Sequence, residues 1–190
     1  MKQQRLVMVL AAMVLLQGCA AAVVAGGATA VVSAQDRRTI GYQIDDKGIS
    51  LRANQQFAEA GLNQQGRINV VSYNGVVLLT GQVESEAVRQ QAGRIARDLQ
   101  SVRDMHNQIR VGSPISLSTR SRDSWITTRV KSSLLADSDI SGLNIKVVTE
   151  DGEVFLMGLA SPLEADKAVE VARHVDGVNR VVRAFELQSP

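Results

Sequence analysis

The stretch Ile68 to Gly81 (INVVSYNGVVLLTG) returns 77 residues later as Ile145 to Gly158 (IKVVTEDGEVFLMG), identical at 7 of 14 positions. That period is too long for one unit of a solenoid, so the body of the chain reads as one small module written twice in tandem. In each copy Asn74-Gly75 or Asp151-Gly152 separates two apolar, β-branched runs. These dipeptides accept the positive φ of a two-residue type I′ turn, so each copy contains a β-hairpin. Beyond the hairpin the offset becomes 76 and pairs Ala92, Ile95, Ala96 and Leu99 with Ala168, Val171, Ala172 and Val175, one helical stripe in each copy. In the second copy Ser161-Pro162-Leu163-Glu164 supplies an N-cap, a proline at N1 and a glutamate at N3. Closing strands follow, with Met105, Ile109 and Val111 matching Val181, Phe185 and Leu187. A helix precedes each hairpin, where Ile49, Ala53 and Phe57 match Ile126, Val130 and Leu134. The predicted class is α+β, two tandem αββαβ two-layer sandwiches, each a three-stranded mixed sheet with two helices on one face. They span 36–112 and 119–190, joined by a linker at 113–118, and are expected to fold separately.

The N-terminus follows a different grammar. Met1 to Arg5 is short and basic, Leu6 to Leu16 is an unbroken apolar run, and Leu16-Gln17-Gly18-Cys19 closes it. This is the pattern of a secretory signal peptide at 1–18, with a transmembrane helix from Leu6 to Val32 as the alternative. Leu-x-Gly-Cys resembles the bacterial lipobox, in which the cysteine is diacylated on sulfur, the chain is cut before it and the new amine is acylated. The only cysteine of the chain stands at that position. Cys19 is therefore the expected lipid attachment site, carrying N-acyl and S-diacylglycerol groups and no other cofactor, and Ala20 after it implies outer-membrane delivery. Residues 19–35, almost all small and uncharged, read as the lipidated tether.

Lys2 and Arg5 are the only charges in the first eighteen residues, which leaves 19 basic and 19 acidic groups in the remainder. Bulk charge therefore gives no case for nucleic acid, whose backbone needs a basic surplus on one face. One cysteine and two isolated histidines give neither a disulfide framework nor a metal cluster. No Gly-x-Ser-x-Gly, His-Glu-x-x-His or Gly-x-Gly-x-x-Gly occurs, so an enzyme is not expected.

The two αββαβ copies, the strand-Asn/Asp-Gly-strand-Gly signature, Leu15 to Cys19, the Asp36 to Asp46 segment and Asp123-Ser124-Trp125-Ile126-Thr127-Thr128 resemble the dual BON-domain outer-membrane lipoproteins. The resemblance implies a periplasm-facing protein that binds anionic phospholipid through its second BON domain and gathers at the division site. It also implies support of outer-membrane integrity and association with the β-barrel assembly machinery.

The duplication acts as an internal control on any binding surface. Trp125 aligns with Gly48 and Leu135 with Ala58, so the shared core requires neither. At about 100° per residue, Ile126, Val130 and Leu134 centre the inward stripe, and Trp125, Thr128, Ser132 and Leu135 fall on the opposite side. Arg129 and Lys131 flank them, with Arg120 and Arg122 placed just before the helix. An amphipathic ring at the headgroup boundary beside basic groups is an interfacial helix in miniature. The residues alone leave an equal alternative, in which Trp125 packs against the first domain or the segment Pro114 to Leu117. The resemblance favours lipid and assigns Arg122, Trp125, Thr128, Arg129, Lys131, Ser132 and Leu135 to phospholipid binding. Arg89, Arg94, Arg97, Arg103 and Arg110 make the first domain mildly basic, by default a solvated face. The alternative function is an envelope adaptor acting on the assembly machinery through the first domain or its sheet edge, by β-augmentation.

Overall fold

Two β-hairpins organise the fold of residues 36–188, the part of the chain that the computed structural model describes. The signal peptide, Cys19 and the tether lie outside the described residues. The first copy runs α1 (Ile40–Glu59), β1 (Gly66–Tyr73), β2 (Val76–Val83), α2 (Glu86–Arg97), β3 (Asp104–Asn107) and β4 (Arg110–Val111). The second runs α3 (Leu117–Ala136), β5 (Ile145–Glu150), β6 (Glu153–Ala160), α4 (Pro162–Arg173) and β7 (Arg180–Leu187). Both hairpins turn as expected: Asn74 and Gly75 have φ of 54° and 76°, Asp151 and Gly152 of 52° and 73°. In each sheet the second hairpin strand is central, antiparallel to the first strand and parallel to the closing one.

The closing strand is continuous in the second copy and broken in the first. There the Asn107 side chain donates to the Arg89 carbonyl at 2.9 Å and accepts from the Ile109 N–H at 3.2 Å, which interrupts the ladder between β3 and β4. Each hairpin is tied to the helix before it by a buried aspartate that periodicity did not single out. Asp46 on α1 accepts from the N–H groups of Asn74 at 2.8 Å and Gly75 at 2.9 Å. Asp123 on α3 accepts from those of Asp151 and Gly152 at 2.8 and 2.9 Å. One carboxylate thus satisfies both N–H groups of a tight turn and fixes the helix against it.

Each sheet buries one face under its own two helices. Ile49, Ala53 and Phe57 of α1 pack with Ala92 and Ala96 of α2 on Val77 and Leu79. Ile126, Val130 and Leu134 of α3 pack with Ala168 and Ala172 of α4 on Val154 and Leu156. The alternate residues form a third cluster that belongs to neither domain alone: Tyr73 and Leu78 from the first sheet, Val148, Phe155, Met157, Leu159 and Ala184 from the second. The two sheets therefore pack face to face, with helices on both outer surfaces.

The two copies thus share an apolar contact that the repeat pattern alone does not reveal. β2 and β6 are apolar at successive positions because both of their faces are covered. All three clusters lie between Ile49 and Phe185, so a chain beginning at Ala20 keeps every core cluster of the described residues. The linker is also shorter than expected, because Ser116 caps α3 by accepting from the Thr119 N–H at 3.1 Å. Arg120 and Arg122 consequently lie within the helix rather than before it. At α4, Ser161 caps as expected, but Glu164 turns away from it to the Ser141 N–H, at 2.8 Å, and to Arg37.

Candidate membrane-binding site

α3 is a 20-residue helix, about 30 Å long, whose inward residues Ile126, Val130 and Leu134 are fully buried. Its far side is not covered. Trp125 and Leu135 are each 49% exposed, and neither belongs to a core cluster of the described residues. Arg122, Thr128, Arg129 and Ser132 are exposed on the same side. The Arg129 guanidinium lies over the Trp125 ring, 5.5 Å from its centroid. This couples a cation to the face of a half-exposed aromatic ring. Thr128 donates to the Ser124 carbonyl at 3.0 Å, which keeps its hydroxyl satisfied.

Lys131 does not join them. Its ammonium turns sideways and donates to the carbonyls of Gly142 and Ile145 at 2.6 and 2.7 Å. Burial, then the nearby Lys146 charge, hold its pKa below the ordinary lysine value.

Leu117, 73% exposed, extends the outward stripe of α3 about two turns before Trp125. Sequence reasoning missed it by placing it in the linker, although Ser116 is a cap residue and Leu117 repeats Ile40 at the 77-residue offset. The internal control missed a second feature. α1 carries its own outward stripe, Ile40, Ile44 and Leu51, exposed by 66, 65 and 71%. Its spacing of four and seven residues was readable, but not aligned with Trp125 and Leu135.

The BON domain model matches residues 45–113 and again 122–189. The chain belongs to the BON-domain family. A curated relative, the outer membrane lipoprotein DolP of Haemophilus influenzae, is 40% identical over 184 residues, 96% of this chain and 95% of that protein. A 21 kDa hemolysin of Actinobacillus pleuropneumoniae is 45% identical over 79% of this chain and 78% of its own length. The osmotically-inducible protein Y of Escherichia coli strain K12 is 30% identical over 75% of this chain and 72% of its own length. The chain is thus a two-BON-domain lipoprotein of the DolP type.

Where the two BON domains meet, the first contributes cations and the second anions. Arg103 holds Glu186, which also accepts from Asn74 at 2.7 Å. Arg110 pairs with Asp151 at 3.0 Å and with Glu153 at 2.6 Å. Arg67 bridges to Glu150 at 2.7 Å, and Gln82 donates to the same carboxylate at 2.9 Å. Two of the arginines read as a solvated basic face, Arg103 and Arg110, are therefore interdomain partners. Just before α1, Arg37 reaches across to Glu164 at 2.7 Å and to the Leu159 carbonyl at 2.7 Å.

The hydrogen bond from Arg103 holds the Glu186 carboxyl below the usual range against its partial burial. At Glu153 and Glu164 burial pushes upward, but the bonds from Arg180 and Arg110, and from Arg37, outweigh it. A carboxylate with a lowered folded pKa adds stability above its unfolded value, about 4.3, and loses it as pH falls through the folded one. The melting temperature of the chain from Ala20 is therefore expected to fall on acidification below about pH 4. A melting temperature flat from pH 7 to pH 3 would contradict this role of the interdomain carboxylates.

Proposed function

We propose that this BON-domain lipoprotein is anchored in the outer membrane through Cys19, faces the periplasm and binds anionic phospholipid through the second BON domain, supporting membrane integrity. The observation that carries the reading is the outward face of α3. A helix with three fully buried inward residues leaves Leu117, Trp125 and Leu135 on its open side, with Arg122 and Arg129 beside Trp125. Such a face fits the headgroup boundary, where an aromatic ring stays half wet and each Lys or Arg near an anionic surface adds about 1 kcal/mol. The similarity to an outer membrane lipoprotein supports the location. A place at the division site and association with the β-barrel assembly machinery are supported by the resemblance of the whole chain to its family.

Three acyl chains on Cys19 exceed the two signals that stable anchoring needs, so the α3 face is not required for attachment. Its role would be to set how the anchored body lies on the bilayer or to sense its charge. The test is flotation of the unlipidated chain from Ala20 with vesicles of phosphatidylglycerol or of phosphatidylcholine. Binding to the anionic vesicles, weakened by salt as screening requires, is expected. Equal or absent binding to both would overturn the reading.

A further inference from the structure

A groove of about 610 Å³ runs between the two BON domains, walled by α1 and β1 on one side and by α3 and the start of β5 on the other. Its size is that of a site for a small ligand rather than a packing defect. The charges along it do not cancel. Asp46, the one carboxylate lining it among the described residues, is fully engaged by Arg38, Ser72 and the two turn N–H groups. Lys47 from the first domain and Lys131 and Lys146 from the second line the same groove, and among the described residues no carboxylate pairs with any of them. Lys131 and Lys146 stand close enough for the second charge to depress the ionisation of the first. The Gln43 side-chain nitrogen, buried on the α1 wall, has no hydrogen-bond partner. Leu51 and Leu143, 71 and 57% exposed, complete the two walls.

We propose that this interdomain groove seats the phosphate of an anionic phospholipid, with Lys47, Lys131 and Lys146 neutralising it and Leu51 and Leu143 meeting the acyl region beside it. A phosphate supplies the charge the three ammonium groups lack and acceptors for the free donors of Lys47 and Lys146 and for Gln43, while Lys131, held by the Gly142 and Ile145 carbonyls, contributes its charge. The leucines then face hydrocarbon instead of water. A free anion would use the lysines and leave the leucines wet, so the combination favours an amphiphile. The inference deepens the lipid-binding reading above: it adds a single-molecule subsite that uses the first BON domain, whereas the α3 face meets the bilayer as a surface.

The test is an NMR titration of the chain from Ala20 with monomeric dihexanoyl-phosphatidylglycerol, below the concentration at which it forms micelles, and with inorganic phosphate. Shifts at Leu51, Leu143 and Lys146 are expected with the lipid. Lys146→Glu, at an exposed strand position, should weaken them about tenfold or more, and Lys47→Glu on the opposite wall should do the same if Lys146→Glu fails to fold. Trp125→Ala should leave this titration unchanged while weakening anionic vesicle binding about tenfold. Shifts confined to α3, an equal response to inorganic phosphate, or full binding by both lysine variants would overturn the proposal. Groove binding by a protein that does not float with any vesicle would instead leave the proposal standing and overturn the membrane reading.

Discussion

Met157→Asp is expected to unfold both BON domains together. Met157 is fully buried in the cluster that the two sheets share, with Phe155 and Leu159 on its own strand and Tyr73 and Leu78 facing it. An unpaired carboxylate there loses the apolar contacts and adds a desolvation penalty of several kcal/mol, comparable with the stability of a whole domain. Urea unfolding of the chain from Ala20, followed by circular dichroism, should show one transition, and the variant should be largely unfolded before urea is added. The second domain cut at residue 117 should fare no better, because it exposes Val148, Phe155, Met157 and Leu159 as one apolar sheet face. A soluble, monomeric 117–190 fragment that melts cooperatively would show that the sheet-to-sheet contact is dispensable.

Substitutions on α3 should separate into two groups according to the face they touch. Trp125→Ala removes a half-exposed anchor and should cut anionic vesicle binding by about tenfold, the size of burying one large apolar group at an interface. Leu135→Glu should do more, since it sets a negative charge against acidic lipid. Neither should change stability by more than about 1 kcal/mol, because neither side chain is in a core cluster of the described residues. Val130→Asp is the contrast: the position is fully buried beneath the helix, and the variant should not fold. Loss of melting temperature in Trp125→Ala, with the folded fraction still binding normally, would place Trp125 in the core after all.

How far the sequence could be read follows from which signals are local. The hairpin turns, the α4 cap and the inward stripes of α1 and α3 were readable because each depends on neighbours within one copy. The contact between copies was not. A central strand covered on both faces looks, in sequence, like a strand covered on one with spare apolar residues, as Val76 to Leu79 and Val154 to Met157 do. Asp46 and Asp123 recur at the 77-residue offset, and that repeat could have marked them as structural. Instead Asp123 entered only as part of a family motif. At the site, Trp125, Thr128, Arg129, Ser132 and Leu135 stand on one exposed face as helical angles imply. Lys131 departs from them because helical angles place a Cβ but not the end of a long side chain, and two carbonyls of the turn before β5 capture its ammonium.

Trp125 is the single tryptophan of the chain, so its fluorescence reports on this one position of α3. The emission of the chain from Ala20 should shift to the blue when phosphatidylglycerol vesicles are added, and lipids brominated near the headgroup should quench it. Phosphatidylcholine vesicles should leave it unchanged. Emission that stays at the wavelength of the free protein, unquenched, while the protein floats with anionic vesicles would mean that the membrane is met by another surface and that the outward face of α3 does not carry the function proposed here.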